Sequence, residues 1–475
     1  YRSKGKEDKY GADFMATIDD GDMDDVHNYY NWYHNSLFQQ FNGEFTRDWK
    51  APGRCIISQE LSTGYPNNET GHPTRSYQIT HQNPTSLVGY NSYDWADPDY
   101  FLQALAFTTG ETAEALRRTN PTASGFLHFA LMTWLRNCYD AETIEPYPIF
   151  DALSLALQPV LVSAELWGRH YYAGDKLPVR ICIVNDKEDG SVLAASRLRW
   201  EIVSAAGKVL KYGICNVPEV EHYTRRWMTP EIVLPHIEGA RENAKLRLRL
   251  SVSGVEISHN EYDLVLGTPA IAESSRLEGR HITAPGRIAQ LDAAGVKYDI
   301  VRSPVKGALL VVSSEARPEA SVLRKFVDEG GHALVLGGAA YIQEVFPEYI
   351  SDYFKPYEGD ICFMERNEDA AFDGLGEMDL RYWNDGHAVI PTVCDEVLHS
   401  VRRPEVEEIA GHMQIHAYID GKPQERMDKI RQFRGFTVER IRSGKGPAIV
   451  STMRTDKAST DPLAARFLVN LLNEN

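Results

Sequence analysis

Several classes of protein are excluded by what this sequence lacks. No apolar run approaches the ~20 residues that a membrane-spanning helix needs, so we expect no membrane partner. The six cysteines are scattered, without a CxxC pair or the spacing of zinc ligands. Neither GxGxxG nor a P-loop occurs, so these phosphate-binding loops are absent. Basic residues are outnumbered, 50 against 67 acidic ones, and a formal net charge of −17 predicts no nucleic-acid partner.

Metal-binding motifs are also missing. The 15 histidines form no HExxH motif. The acidic run DDGDMDD at 19–25 lacks the glycine position and the distal glutamate of an EF-hand loop, and we interpret it as a solvated loop. We therefore predict no metal and no cofactor.

The first residues, YRSKGKED, contain neither an initiator Met nor a signal-peptide pattern. A start of this kind is typical of a fragment or a processed product, so we expect an upstream part of the protein to be missing. The compartment stays open, with a secreted or periplasmic protein among the alternatives.

What the sequence does contain is an ordinary globular composition, with 43% hydrophobic and 25% charged residues, over a length that favours about three domains. Residues 1–158 alternate predicted strands at 54–60 and 125–132 with predicted helices at 99–118 and 147–160. This rhythm is typical of a parallel α/β layout.

The two regions that follow have different patterns. Residues 159–267 contain short alternating segments such as RICIVND and RLRWEIVS between turns, which predicts an immunoglobulin-like β-sandwich. Residues 268–475 return to strands and helices, among them the strand KGALLVVSS and the helix PEASVLRKFVDEGG. An open, doubly wound α/β domain is predicted there.

The strongest candidate for a catalytic group is Glu60. It ends the apolar segment RCIISQE and is followed by LSTG. In a (β/α)8 barrel the catalytic groups lie at the carboxyl ends of the strands, where a rigid support holds them toward the substrate. A strand-end Glu also occurs in salt bridges or in solvent, and the residues alone leave that alternative open.

The loop GYPNNETGHPTRSYQ at 64–78 comes shortly after Glu60. Loops that follow the strands of a barrel commonly form binding sites. We therefore predict that polar side chains of this loop bind sugar hydroxyls, with an ordinary surface loop as the alternative. These side chains are Asn67, Asn68, His72 and Arg75.

Two segments together resemble the glycoside hydrolases of family 2, which include β-galactosidases, β-glucuronidases and β-mannosidases. HNYYNWY at 27–33 is similar to a YYGWY-like segment of that family, and IISQELSTG is similar to its strand of the type IIITEYG. The resemblance implies that residues 1–158 are the C-terminal part of a (β/α)8 barrel. It also implies a retaining exo-β-glycosidase in which Glu60 is the nucleophile and forms a covalent glycosyl-enzyme.

The same resemblance implies further residues of the site. Tyr29 matches the family tyrosine whose hydroxyl orients the nucleophile. The segment GFLHFALMTWLRN is similar to the last barrel strand of the family, GTLYWQLND, and Phe129 stands in it where a Trp often lines the sugar site. The other predicted contacts to the carbohydrate substrate are His27, Trp32, His72, Arg75 and Trp134.

Three features depart from the family pattern. Leu61 stands where an aromatic residue usually follows the nucleophile, and Phe129 replaces a Trp. No Asn-Glu pair, which marks the acid/base of the family, precedes HNYYNWY. We therefore expect the acid/base upstream of this chain, no turnover of glycosides by the chain alone, and either a missing N-terminal half or a homo-oligomer as partner.

The C-terminal region is similar, through FVDEGGHALVLGG, to glutamine-amidotransferase-like domains of flavodoxin-like fold at the end of some glycosidases. A working amidotransferase needs a Cys at a tight strand-to-helix turn. Cys362 and Cys394 have no flanking glycine elbow, so we predict that residues 268–475 are non-catalytic.

Two alternatives to a family 2 enzyme stay open. One is a β-galactosidase of the family whose barrel is followed by a flavodoxin-like trimerisation domain. The other is a catalytically inactive, glycosidase-derived protein that binds carbohydrate or serves as a scaffold. The sequence does not identify the sugar or the linkage.

Overall fold

The computed structural model describes residues 2–3, 23–26, 55–58, 64–72, 98–119, 123–128, 130–355, 362–385, 392–413 and 434–474. These residues build several sheets and belong to a multidomain protein that is mostly β. No helix in these ranges is long and apolar enough to cross a membrane.

The N-terminal region contributes a sheet of four short strands, β1 (Arg2–Ser3), β2 (Met23–Val26), β3 (Cys55–Ser58) and β4 (Ala123–Phe126). Each strand pairs in parallel with the next one in the chain. A parallel sheet in strict chain order is the arrangement of a (β/α)8 barrel, whereas a doubly wound sheet reverses its order at one point.

Two predictions for this region were wrong in detail. The acidic run at 19–25 was interpreted as a loop, but β2 begins within it at Met23. The strand expected at 125–132 begins at Ala123 and already ends at Phe126. Residues Leu131–Trp134 form a 3-10 turn instead, because Thr133 donates both its backbone N–H and its hydroxyl to the Ala130 carbonyl.

Helix α1 (Asp99–Thr119) confirms the helix predicted at 99–118. It carries an acidic residue in its first turn and Arg117 and Arg118 in its last, which suits the helix dipole. Its apolar side packs with helix α2 (Pro148–Ala156) in one hydrophobic core. α2 begins with Pro, whose fixed φ suits the first helical position. The hairpin of β5 (Leu135–Arg136) and β6 (Glu145–Pro146) precedes α2.

Residues 160–267 form two sheets that share one core. The two long strands Arg241–Val252 and Val255–Gly267 alternate buried residues with more exposed ones, as the two faces of a sandwich require, whereas the strand Val160–Leu166 is buried throughout. The first sheet has the order β11-β10-β13-β14-β8, and the second has the order β12-β9-β7. The strands are β7 (Val160–Leu166), β8 (His170–Tyr172), β9 (Val179–Asn185), β10 (Ser196–Ser204), β11 (Val209–Val217), β12 (Thr224–Met228), β13 (Arg241–Val252) and β14 (Val255–Gly267).

Helix α1 is joined to the sandwich by a buried polar network. The Glu114 carboxylate accepts hydrogen bonds from Ser163, from the Tyr262 hydroxyl at 2.6 Å and from the Asn260 amide at 2.9 Å. Arg118 donates to the Ser163 hydroxyl at 2.6 Å. Because buried polar groups are costly unless they are paired, these bonds hold the helix and the sandwich in one arrangement.

The C-terminal region has a mixed sheet. Its parallel part has the order β16-β15-β17-β18-β24, and β23, β22, β21, β20 and β19 extend it in antiparallel pairing. The strands are β15 (Ile282–Ala284), β16 (Asp299–Ile300), β17 (Leu309–Ser313), β18 (His332–Leu336), β19 (Ile350–Phe354), β20 (Phe363–Met364), β21 (Val397–Ser400), β22 (Val406–Met413), β23 (Arg434–Ser443) and β24 (Gly446–Ser451). Counted along the chain, the parallel strands stand in the order 2-1-3-4-5, which is the flavodoxin-like order.

The described residues of this region include the helices α3 (Ala289–Ala293), α4 (Ala320–Asp328), α5 (Ala339–Val345) and α6 (Pro462–Glu474). The antiparallel extension was not expected from the sequence. The last helix was, because Asp461 and Pro462 mark its start, and the Asp461 carboxylate accepts from the backbone N–H groups of Leu463 and Ala464.

Candidate functional site

Most of the residues that the sequence assigns to the site lie outside the described ranges. These are Tyr29, His27, Trp32, Glu60, Arg75 and Phe129. Their assignments therefore stay predictions. His72 and Trp134 are described, and so are the strands that precede the predicted catalytic segments.

Three strands of the N-terminal sheet end at the same level. In the pairing register Val26 is the partner of Ser58, and Ser58 is the partner of Phe126. These residues are the last of β2, β3 and β4. Because the strands are parallel, their carboxyl ends form one edge of the sheet, with β3 in the middle.

The sequence beyond this edge carries the predicted site. His27 directly follows β2, and Glu60 comes two positions after the end of β3. His128 comes two positions after the end of β4. The sequence analysis did not single out His128, although His128 and Glu60 each come two positions after the end of their strand.

His128 is a neutral histidine in this structure. Burial lowers the pKa of its imidazole to about 3. The Trp134 indole N–H donates to its Nδ1 at 2.8 Å, so the proton of the neutral ring lies on Nε2. That buried Nε2 has no hydrogen-bond partner among the described residues. His128 can therefore donate one hydrogen bond from the strand edge.

Trp134 was predicted to contact the substrate. It is half-buried, and its ring lies at 5.9 Å from that of His128. Its backbone carbonyl accepts from the Tyr147 N–H at 2.7 Å. Since its N–H is used by His128, only the faces of the indole are left for a ligand.

The loop after β3 is packed rather than free on the surface. Asn67 Oδ1 accepts from the N–H groups of Glu69 and Thr70 at 2.9 and 3.0 Å, and Asn68 Oδ1 accepts from the Cys138 N–H at 2.8 Å. The Asn67 carbonyl accepts from the Tyr147 hydroxyl at 2.8 Å. Both asparagine side chains, expected to bind sugar hydroxyls, thus use their carbonyl oxygens to hold the loop.

His72 lies at the end of the same described loop segment. Its side chain is buried, and its carbonyl accepts from the Asn67 N–H at 2.6 Å. The preceding Gly71 has a φ of +79°, a left-handed conformation that glycine adopts without strain. The loop thus turns back onto helix α1, where Leu102 lies next to Gly71.

An amidotransferase carries its nucleophile at a strand-to-helix turn, and the C-terminal sheet has such a turn after β18. After β18 the chain runs through Gly337 and Gly338, both with positive φ, into α5. Neither residue has a reactive side chain. Cys362 and Cys394 lie elsewhere and are buried. Across the described ranges, no three His, Cys, Asp or Glu residues are grouped to hold a metal ion.

No protein-family model matches the sequence, and no curated protein matches it. Among solved structures, an exo-chitosanase of Amycolatopsis orientalis is similar at 12% identity and a TM-score of 0.31, over 51% of this chain and 30% of the enzyme. A β-galactosidase of Bacillus circulans sp. alkalophilus is similar at 13% identity and a TM-score of 0.24, over 39% and 26%.

A β-glucuronidase of glycoside hydrolase family 2 is similar at 14% identity and a TM-score of 0.18, over 41% of this chain and 26% of the enzyme. The chain thus spans less than a third of the length of each of these three glycosidases. Similarity at this level assigns neither an activity nor a substrate.

Proposed function

We propose that this chain carries part of the active site of a retaining β-glycoside hydrolase, with Glu60 as the nucleophile. The observation that supports the proposal is that β2, β3 and β4 end at the same level of their sheet. Glu60 comes two residues after the end of the middle strand, β3. The carboxyl ends of parallel strands in chain order are where barrel enzymes hold their catalytic groups.

In the proposed mechanism the Glu60 carboxylate attacks the anomeric carbon and forms a glycosyl ester, while a second carboxylic acid protonates the departing oxygen. That second group then removes a proton from water, which attacks the same carbon and releases the sugar and Glu60. The Tyr29 hydroxyl would donate a hydrogen bond to Glu60 and keep it ionised. We assign no residue of this chain as the acid/base.

His128 adds a polar contact to the proposal. An imidazole whose pKa is about 3 stays neutral at ordinary pH, so its Nε2–H donates without adding charge near Glu60. A sugar hydroxyl is a suitable acceptor for this proton. His27, Trp32, His72, Arg75, Phe129 and Trp134 remain the other proposed contacts to the sugar.

A non-catalytic carbohydrate-binding protein is the second candidate. The departures at Leu61 and Phe129 favour it, and so does the use of Asn67 and Asn68 within their own loop. The two candidates differ in whether Glu60 forms a bond to the sugar.

The test is covalent trapping with 2-deoxy-2-fluoro β-glycosyl fluorides of the galacto, gluco, manno and glucurono series. Fluoride departs without a proton, so the first step does not depend on the acid/base. We expect a mass increase of one fluorosugar on the peptide that contains Glu60, and none in Glu60→Gln. Glu69→Gln, an exposed carboxylate on the following loop, is the matched control and should label normally. Reversible binding without any adduct would instead support the second candidate.

A further inference from the structure

A cavity of about 310 Å³ lies where helix α1, the sandwich and the C-terminal region meet. Phe107 of α1 lines it together with Arg169 and Arg241 from the sandwich region, and Arg381 and Tyr382 line it from the C-terminal region. Ligand pockets begin at about 300 Å³, so a small organic molecule fits this volume.

Two of the three arginines are compensated by carboxylates. Arg169 pairs with Glu111 at 2.5 Å. Arg241 forms two hydrogen bonds with Asp379, at 2.7 and 3.0 Å. His170, which also lines the cavity, lies 3.2 Å from an oxygen of Asp461.

Arg381 differs from them, because it forms no salt bridge with any described carboxylate. Its side chain is 4% exposed. Its Nε donates to the Met378 carbonyl at 3.2 Å and its Nη2 to the Met378 sulfur, while Nη1 has no partner in the described part of the chain. Burial lowers the pKa of the guanidinium, which still stays protonated. Tyr382 and Asp379 act in the opposite direction and raise this pKa, but no described carboxylate contacts the guanidinium, and burying such a cation is costly.

The surroundings of Arg381 are aromatic. Its guanidinium carbon lies 4.9 Å from the centroid of the Phe107 ring and 5.6 Å from that of Tyr382. The two rings stack with centroids 5.8 Å apart. Cation–π contacts offset part of the cost of burying the charge, but they supply no acceptor for the free N–H groups.

We propose that this cavity binds a small organic monocarboxylate with an apolar or aromatic body. A carboxylate matches the planar guanidinium of Arg381 by two parallel hydrogen bonds, and the stacked rings form an apolar wall for the rest of the ligand. One positive charge that no described carboxylate contacts suits a monoanion better than a phosphate group, whose charge approaches −2. Asp263 at the cavity adds negative charge and disfavours a dianion further.

Benzoate is the probe for this site, with benzamide as its neutral analogue and inorganic phosphate as the competing anion. Binding is measured by isothermal titration calorimetry and by the rise of the melting temperature. We expect saturable binding of benzoate and none of benzamide, with phosphate weaker than benzoate. In Arg381→Met, benzoate affinity should fall by at least about tenfold, because a charge-assisted bond is lost.

Arg402→Met provides the matched control, since it removes an exposed arginine of another pocket and should leave benzoate binding unchanged. Arg381→Met removes a buried charge, so it is expected to fold. The benzamide comparison tests the charge requirement in the unaltered protein in any case. Equal binding of benzoate and benzamide, tighter binding of phosphate, or full benzoate affinity in Arg381→Met would each overturn the proposal.

Discussion

In the described part of the chain, parallel strands occur in an N-terminal sheet and in the mixed C-terminal sheet, and different residues follow these strands. At the N-terminal edge, His27, Glu60 and His128 follow three neighbouring strands within two positions. At the C-terminal edge, the chain leaves β18 through Gly337 and Gly338. Ionisable residues thus follow the three N-terminal strands in the sequence, whereas two glycines follow β18 at the turn where a nucleophile would stand.

The difference shows how little the scaffold alone says about chemistry. Both sheets bring the carboxyl ends of their strands together, so both provide a place for a ligand. They differ in the residues after the strands that matter here, which are β2, β3 and β4 in one sheet and β18 in the other. Function therefore depends on these side chains, and four measurements compare the N-terminal and C-terminal regions.

The largest effect is expected at the N-terminal edge. Glu60→Gln keeps the shape of the side chain but removes the nucleophilic carboxylate. In the enzyme completed by its upstream part, kcat for a nitrophenyl β-glycoside that it cleaves should fall by at least about 10³-fold, because the group that forms the covalent intermediate is lost. The circular dichroism spectrum and the melting temperature report whether the fold is intact. Wild-type turnover by Glu60→Gln would remove the proposed role.

His128 should make stability sensitive to acid. Its imidazole stays neutral in the folded protein down to a pH of about 3, whereas the unfolded chain takes up a proton below a pH of about 6.5. The unfolded state thus binds more protons in this window, and stability falls as the pH is lowered. Between pH 7 and pH 4 the free energy of unfolding should fall by about 3 kcal/mol more in the wild type than in His128→Gln.

Urea unfolding at the two pH values measures this difference, and the carboxylates that titrate in both proteins cancel from it. An equal loss in the wild type and in His128→Gln would show that the imidazole is not buried in a neutral form.

Glu439 should make stability depend on pH in the opposite direction, through the C-terminal sheet. Burial raises the pKa of this carboxyl to about 8, and the neighbouring Glu408 on the paired strand adds to the rise. The folded state therefore keeps a proton that the unfolded state loses above a pH of about 4.5, so stability falls as the pH rises toward 8. From pH 5 to pH 7 this group should lower the free energy of unfolding by about 2 kcal/mol.

Glu439→Gln should remove this dependence, because an amide mimics the protonated acid and does not titrate. The same urea experiment measures it. A Glu439→Gln protein that is as sensitive to rising pH as the wild type would contradict the assignment.

The smallest effect is expected for the cysteines of the C-terminal region. In the enzyme completed by its upstream part, replacing Cys362 and Cys394 together by Ala should leave glycosidase activity unchanged when it is assayed below the melting temperature. Both thiols are buried, so the substitutions cost packing energy but no chemistry. The wild type should also show no glutaminase activity. Glutaminase turnover that disappears in the double variant would show that the C-terminal region has a catalytic cysteine.

The parts of the fold that the sequence predicted are those with strong local patterns. Helix α1 was found because its apolar residues recur at helical spacing, and the strands β9 and β17 were found because each contains a short apolar run. The strands β11 and β12 were missed, because each exposes much of its surface and alternates only weakly in hydrophobicity.

The candidate site could be predicted only where consecutive residues in the sequence form a recognisable pattern. Glu60 stands at the end of an apolar run, and that pattern is visible without a structure. The neutral state of His128 could not be predicted in this way, because it depends on burial of the imidazole and on a hydrogen bond from the Trp134 indole. The turn at Leu131–Trp134 brings that indole back to the imidazole. The residues that make Arg381 unusual come from distant parts of the sequence.

The hydrogen bonds around Glu114 have a practical consequence for dividing the protein into fragments. A polypeptide that starts at residue 159 would retain Ser163, Asn260 and Tyr262 but lose the carboxylate that all three donate to. Without α1 the three donors would face water, and the lost hydrogen bonds to a charged group, worth about 1.5–3 kcal/mol each, are a large share of the stability of one domain. The sandwich is therefore best expressed together with helix α1, and limited proteolysis should release the two as one piece.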